Sequence, residues 1–169
     1  MTGRLSALRQ RNAVGAVVAA AAFGVLVTID LAPEWSAYRR TVEPETVVAK
    51  GHSGVADGQI WKVASVRHLD RSPVDYGPGL PEGAVLLVVH LDRSGPAAQR
   101  VCEGVITDGR RRWKSEGIGG FSPRPPDGAT TLCSEPGQLQ LTFLLPREAV
   151  PTAVDVTNLE GGIMVRLAL

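Results

Sequence analysis

The sequence predicts a mainly β protein, with an N-terminal transmembrane helix followed by an antiparallel β-sandwich. One apolar run near the N-terminus, residues 13–32, is long enough to cross a bilayer. After Gln59 the chain shows no helical periodicity of useful length. It has short apolar or alternating runs separated by Gly, Pro, Asp and Ser, the pattern of an all-β domain.

The apolar run has the length and composition of a transmembrane helix. It has no charged residue from Ala13 to Ile29, and with Asp30 near its end it reaches Ala32. As a helix the run spans about 30 Å, which matches the hydrocarbon core of a bilayer. We therefore predict a single transmembrane helix over residues 13–32.

The residues after the run favour retention over cleavage. Pro33 and the bulky Trp35 make a poor signal-peptidase site, whereas Trp35 and Tyr38 suit the headgroup layer of a membrane. A cleaved signal peptide is one alternative, because alanine-rich apolar segments can be long. A buried core helix is the other, although the run lacks a polar face.

The flanking charges predict the orientation of the anchor. Arg4, Arg9 and Arg11 precede the run without any acidic residue, while at its far end Asp30 and Glu34 precede Arg39 and Arg40. The positive-inside rule then places residues 1–12 in the cytoplasm. We predict a single-pass protein of the plasma membrane whose C-terminal domain is extracytoplasmic.

Composition limits what the exported part binds. It carries all 17 acidic residues and 15 of the 18 Lys and Arg, a net charge of −2. This balance argues against nucleic acid as a partner. We assign residues 33–58 to a tether, ending in a short edge strand near Thr46–Lys50, and residues 59–169 to one domain of ordinary size.

Four runs of the exported part predict strands. "QIWKVASVRHL" changes its inward face between Val63 and Val66, which indicates a bulge near Ser65. "AVLLVVHLD" is apolar on both faces and therefore predicts a central strand. "QLQLTFLLP" alternates with Leu139, Leu141, Phe143 and Leu145 on one face, and "IMVRLAL" repeats the pattern with Ile163, Val165, Leu167 and Leu169 inward.

The stretch "VCEGVITDGRRRWKSE" predicts a hairpin. Asp108-Gly109 is a signal for a two-residue type I′ turn, since both positions need positive φ. The predicted cross-strand pairs are Thr107 with Arg110, Ile106 with Arg111, Val105 with Arg112, Gly104 with Trp113 and Glu103 with Lys114. The indole of Trp113 would then cover the gap left by Gly104, on the same face as Cys102.

Cys102 and Cys133 are both in the exported part, where an oxidising compartment favours a disulfide. The bond would contribute roughly 3–4 kcal/mol by the chain-entropy argument. Two buried free thiols are the alternative, and no histidine lies at metal-ligand spacing. A disulfide that crosses between sheets beside tryptophan is the arrangement of an immunoglobulin-like sandwich.

In this order of segments the chain resembles a family of uncharacterised single-pass envelope proteins of mycobacteria and related actinobacteria. The resemblance is carried by the anchor, the tether, the strands "QIWKVASVRHL" and "AVLLVVHLD", the hairpin "VCEGVITDGRRRW" and the late segment "TLCSEPGQLQLTFLLPREAVPTAVDVTN". It covers nearly the whole chain. It implies an extracytoplasmic immunoglobulin-like domain, and it implies no reaction and no functional residues.

Candidate binding residues lie in loops. Arg110, Arg111 and Arg112 form a positive patch suited to anionic headgroups or a phosphorylated polysaccharide, or else they only keep an exposed turn soluble. Tyr76 and Phe121, in two long loops, offer apolar contact surface. We predict these five residues as a recognition surface.

The histidines are weak candidates for chemistry. His68-Leu69-Asp70 and His90-Leu91-Asp92 each place a histidine and an aspartate on one face of a strand. No activated nucleophile or further ligand accompanies them, so we predict no catalytic residue, no metal site and no cofactor. The alternative for both dipeptides is a strand end that emerges into solvent.

These observations favour a non-catalytic binding or scaffold module in the cell envelope, with another envelope protein or a wall component as partner. The alternative is a carrier or chaperone for a lipid or other apolar ligand, which would need a sizeable apolar cavity. An enzyme would need a pocket in which His68 or His90 approaches an acid and a nucleophile.

Overall fold

The computed structural model describes residues 2–73, 79–96, 101–117, 120–135 and 137–169, with side chains from Asn12 onward. The chain divides into two compact units, Met1–Arg39 and Arg40–Leu169.

The N-terminal segment is helical. Helix α1 spans Thr2–Leu26, a π-helical turn covers Val27–Leu31, and helix α2 spans Ala32–Val42. The π-turn ends two residues before Pro33, whose ring nitrogen has no N–H to continue the helical hydrogen bonds. Among the described residues, one helical stretch, Asn12–Val42, is long and apolar enough to cross a membrane.

The second unit is built from strands. They are β1 Thr46–Val48, β2 Ser53–Ala56, β3 Gln59–Leu69, β4 Ala84–Ser94, β5 Cys102–Thr107, β6 Arg112–Lys114, β7 Ala129–Thr130, β8 Gln138–Pro146, β9 Ala153–Asn158 and β10 Ile163–Ala168. The four strands predicted from their apolar patterns are β3, β4, β8 and β10, and all four are present.

Two five-stranded sheets result. One has the order β1-β10-β9-β5-β6 and the other the order β2-β3-β4-β8-β7, so β4 is central, as its sequence predicts. The prediction of purely antiparallel sheets is wrong, because β1 runs parallel to β10 and β7 runs parallel to β8. The chain is therefore mainly β, with two mixed sheets and one N-terminal apolar helix.

The structure also differs from the predicted tether over residues 33–58. Helix α2 continues to Val42, and the compact unit already begins at Arg40. Strand β1 pairs with β10, while β2 forms a hairpin with β3. Gly58, with φ 71°, lies in the turn of that hairpin, and Gly54 lies within β2 opposite Trp61.

The inner faces of both sheets contribute to one core. Leu139, Leu141, Phe143 and Leu145 of β8 are buried there, as their alternation predicts. They pack in the same cluster as residues of the opposite sheet, such as Val154 of β9. The predicted bulge is confirmed, because the pairing of β3 with β4 shifts between Val63 and Ser65.

The hairpin β5-β6 has a different register from the prediction. Ile106 pairs with Trp113 and Thr107 with Arg112, so four residues form the loop. The two-residue shift preserves the faces, yet Gly104 lies against Leu141 of the opposite sheet and not under the indole. Hydrogen bonds within the loop, described below, select this wider turn.

Candidate functional site

The two sheets leave an apolar cleft beside β3. Its volume is about 480 Å³. The apolar lining comes from β3, β4, the turn before β9 and the C-terminal end of the chain: Val63, Val66, Leu87, Pro151, Ala168 and Leu169. Lys50 and the exposed His68 add polar groups to the same lining. The cleft can therefore accept an apolar group that carries a polar or anionic neighbour.

The bulge in β3 creates this lining. Val63 pairs with Leu91 and Val66 pairs with Val89, both of which belong to the inner face of β4. Without the extra residue, side chains three positions apart would point to opposite faces of the strand. Val66 retains 37% of its exposure, so an apolar surface remains at the edge of the cleft.

The same stretch of β3 forms a sheet edge. Strand β2 pairs with Gln59–Lys62 and stops there. Beyond Lys62, β4 is the only neighbour of β3 among the described strands. An edge with unpaired backbone groups is a template for another strand, and the residues of β3 include Lys62 and Arg67 but no acid. This edge and the apolar cleft together form the candidate binding site.

The three arginines that were predicted to form a positive patch make different contacts. The guanidinium of Arg111 lies over Trp113, 5.2 Å from the ring centroid, and its Nε is 3.1 Å from Asp108. Arg112 donates to the carbonyl of Thr41 at 3.0 Å. In the described part of the chain, the side chain of Arg110 has no hydrogen-bonding partner.

A buried carboxylate binds two arginine side chains on the outer face of the sheet, next to the loop between β5 and β6. Asp155 of β9 is fully buried, and it accepts hydrogen bonds from Arg166 Nε at 2.7 Å and from Arg166 Nη2 at 2.8 Å. Arg112 Nη2 approaches the same carboxylate at 3.3 Å. The hydrogen bond to Asp155 raises the pKa of Arg166, so that side chain stays charged.

The loop around Phe121 is attached to the sheet. Ser122 and Thr142 share a hydrogen bond of 3.0 Å, and Gln140 donates to the carbonyl of Pro123 at 2.7 Å. Phe121 itself is half-buried. Tyr76, the other predicted aromatic contact, lies outside the described residues.

The two histidines do not form a common site. His68 pairs with Leu87 and points to the inner face of the sheet, whereas His90 pairs with Ser65 on the outer face. The described residues include no group of three His, Cys, Asp or Glu that could hold a metal ion.

His90 belongs to a buried polar chain and does not mark a solvated strand end. Ser65 Oγ is 3.0 Å from its Nδ1, and Gln140 Oε1 is 3.1 Å from its Nε2. Because the amide nitrogen of Gln140 donates to Pro123, its oxygen is the group that accepts from Nε2–H. His90 Nδ1 is then the acceptor for the Ser65 hydroxyl.

The predicted disulfide is present. Cys102 of β5 and Cys133 are bonded, with their Cα atoms 5.7 Å apart. Cys133 lies in the turn between β7 and β8, and Arg93 donates to its carbonyl at 2.6 Å. Trp113 pairs with Ile106, four residues along β5 from Cys102, so the predicted pairing of Trp113 with Gly104 is wrong.

The chain was compared with known proteins. No family model, no curated protein and no solved structure matches it. The assignment of function therefore rests on the geometry of the cleft and the β3 edge. From the residues of the cleft and the β3 edge, the sequence pattern indicated His68 and the bulge near Ser65. The cleft itself could not be predicted, because it depends on contacts between strands far apart in the sequence.

Proposed function

We propose that this protein is a membrane-anchored extracytoplasmic binding module of the cell envelope without chemistry of its own. Its partner is an extended segment of another envelope protein or wall-associated polypeptide, which adds as a strand to β3. The observation that carries the proposal is the apolar cleft of about 480 Å³ beside an edge of β3 that no described strand covers.

Strand addition explains why the two features occur together. Main-chain hydrogen bonds to an edge strand supply affinity, and pockets for alternate side chains supply specificity. An aliphatic side chain of the added segment would enter the cleft next to Val63 and Val66. Lys62 and Arg67 on the edge, with Lys50 in the cleft lining, favour a segment that also carries Asp or Glu.

The anchor supports an envelope location. Three arginines precede the apolar run without an acid, whereas Arg39 and Arg40 follow it only after Asp30 and Glu34. This asymmetry favours a cytoplasmic N-terminus, an extracytoplasmic domain and the plasma membrane. Trp35 and Tyr38 are both exposed, with ring centroids 5.7 Å apart. Such a pair is typical of the membrane interface.

An immunoglobulin-like sandwich is the finer fold that we propose. In that fold, strands A, B, E and D form one sheet and strands C, F and G the other. The orders β3-β4-β8 and β5-β9-β10 correspond to A-B-E and C-F-G. Strand β7 departs from strand D, because it runs parallel to β8. The disulfide departs from the antibody pattern, because it joins β5 to a turn rather than the B and F strands.

A carrier for an acyl chain is the second candidate. The cleft volume falls within the range of about 300–1,000 Å³ that is usual for ligand pockets, and its lining is mostly apolar. Lys50 and His68 could then contact a carboxylate or phosphate headgroup. The same cleft serves both candidates, so the experiment must distinguish a peptide from a lipid.

The test uses the full-length chain in phosphatidylcholine nanodiscs. Random peptides displayed on phage are selected on it, and cis-parinaric acid is titrated separately as an acyl-chain probe. We expect selected peptides to alternate aliphatic residues, to carry Asp or Glu, and to protect the amides of Val63–Leu69 from hydrogen exchange. Val66→Asp should weaken peptide binding by about tenfold or more, since it places a charge at the cleft.

The control is Val47→Asp, which introduces the same charge at an exposed valine of β1. Equal peptide binding by both variants, or no protection of β3, would contradict strand addition. The acyl-chain carrier would be established instead if no peptide were selected, parinaric acid bound saturably, and Val66→Asp abolished that binding.

A further inference from the structure

A second concave surface lies on the outer face of the sheet that contains β5 and β9. This depression has a volume of about 280 Å³ and is lined by three arginines, Arg110, Arg112 and Arg166. Val42 and Thr107 also line the depression. It is separate from the apolar cleft, because its lining shares no residue with that of the cleft.

Asp155 fixes two of the three guanidinium groups. Its buried carboxylate is bidentate with Arg166 and also accepts from Arg112. Arg112 is further held by the carbonyl of Thr41. The long side chains are thus ordered before any ligand arrives, which lowers the entropic cost of binding.

The depression keeps a positive excess. One carboxylate faces three guanidinium groups, so two positive charges remain. The neighbouring Asp108 does not cancel them, since its carboxylate accepts from the backbone N–H groups of Arg110 and Arg111 and from the Arg111 side chain. The side chain of Arg110 and the Nη1 group of Arg166 make no hydrogen bond within the described part of the chain.

We propose that Arg110, Arg112 and Arg166 form a binding site for a phosphate group. Guanidinium groups match phosphate oxygens in a planar, bidentate geometry, and several arginines around one concavity are typical of phosphate recognition. The ligand is a phosphate monoester or diester, supplied by a lipid headgroup or by a free phosphate compound.

The chain itself favours the headgroup. Val42, which lines the depression, is the tenth residue after Ala32, where the predicted transmembrane segment ends. Ten residues extend at most about 36 Å, so the chain tethers the site within that distance of the membrane surface. Anionic lipids would be concentrated there.

The test is amide NMR of the full-length chain, labelled with ¹⁵N on glycine and arginine. One arm titrates inorganic phosphate onto the protein in phosphatidylcholine nanodiscs. The other replaces part of the phosphatidylcholine with phosphatidylglycerol and adds no phosphate. We expect saturable shifts of Gly109 and Arg110, and Arg110→Gln should weaken the response about tenfold through loss of charge-assisted hydrogen bonds.

The control is Arg124→Gln, which removes the same charge. Arg124 is exposed and does not line the depression. A response to phosphatidylglycerol alone identifies the headgroup as the source, and a response to inorganic phosphate in the first arm identifies a free-phosphate site. No saturable response in either arm, or an equal loss in Arg124→Gln, overturns the proposal.

Discussion

At the residue scale, single side chains act through neighbours that are distant in sequence. Gly104 of β5 lies under Leu141 of β8, and a Cβ atom added to it would come 2.7 Å from a Leu141 methyl group. Its φ is not in the left-handed region, so the requirement for glycine comes from packing. The two sheets can approach at this point because no side chain separates them.

Gly104→Ala should therefore destabilise the domain by about 1–3 kcal/mol, since overpacking a buried site forces its neighbours to shift. Chemical denaturation of the full-length chain measures the change in the free energy of unfolding. Gly117→Ala is the control, because no described residue has an atom within 4 Å of its added Cβ, and it should change stability by less than about 0.5 kcal/mol. Equal destabilisation by both substitutions would contradict the packing argument.

At the element scale, the chain uses the dipeptide Asp-Gly in two different turns. Asp57-Gly58 has φ values of 48° and 71° and joins β2 to β3 directly, as a type I′ turn does. Asp108-Gly109 begins a four-residue loop, because the Asp108 carboxylate accepts from the N–H groups of Arg110 and Arg111 at 2.9 and 2.6 Å. The dipeptide alone does not distinguish the two outcomes.

This loop should respond to acid. Hydrogen bonds from the backbone N–H of Arg111 and then of Arg110 lower the pKa of Asp108 from 3.8 to about 2. A lowered carboxyl pKa means that its stabilising contribution is complete above pH 3.8 and is lost as the pH falls toward 2. An NMR titration should show the amides of Arg110 and Arg111 changing in that range.

Asp108→Asn is the matched control, since it keeps the side-chain oxygen but removes the ionisation. Its Arg110 and Arg111 amides should show no transition in the same range. A midpoint at the ordinary value of 3.8 in the unsubstituted chain would mean that the carboxylate does not cap the loop in solution.

At the scale of the whole molecule, the predicted topology and the disulfide support each other. An oxidising compartment is needed to keep Cys102 bonded to Cys133, and an extracytoplasmic domain provides it. The bond closes a loop with a sequence separation of 31 residues, worth roughly 3–4 kcal/mol by chain entropy. A single thiol-reactive reagent can therefore test both the membrane topology and the Cys102–Cys133 disulfide.

We predict that a membrane-impermeant maleimide will label Glu160→Cys in intact cells, because Glu160 lies in an exposed turn. Ser6→Cys should be labelled only after the cells are broken open. The unsubstituted chain should be labelled only after reduction and should migrate at full-length mass. The reverse pattern for the two added cysteines would contradict the predicted orientation.

Much of the fold could be read from local pattern. The strands β3, β4, β8 and β10 follow from runs of apolar residues, and the bulge near Ser65 follows from a change of face within one run. The apolar helix and the cysteine pair follow from length, composition and compartment. The strands, the bulge and the helix depend on neighbouring residues alone, so the sequence by itself determined them. The cysteine pair joins residues 31 positions apart, and its prediction rested on there being two cysteines in the predicted exported part.

Only the tertiary structure decided the binding surfaces. The cleft brings β3 together with the C-terminal end of the chain, and the arginine depression exists because Asp155 is buried between Arg112 and Arg166. The hairpin register depended on Asp108 hydrogen bonds and on Leu141 filling the space above Gly104. Apart from the Asp108 hydrogen bonds, these contacts join residues far apart in the chain, and no periodicity along one strand encodes them.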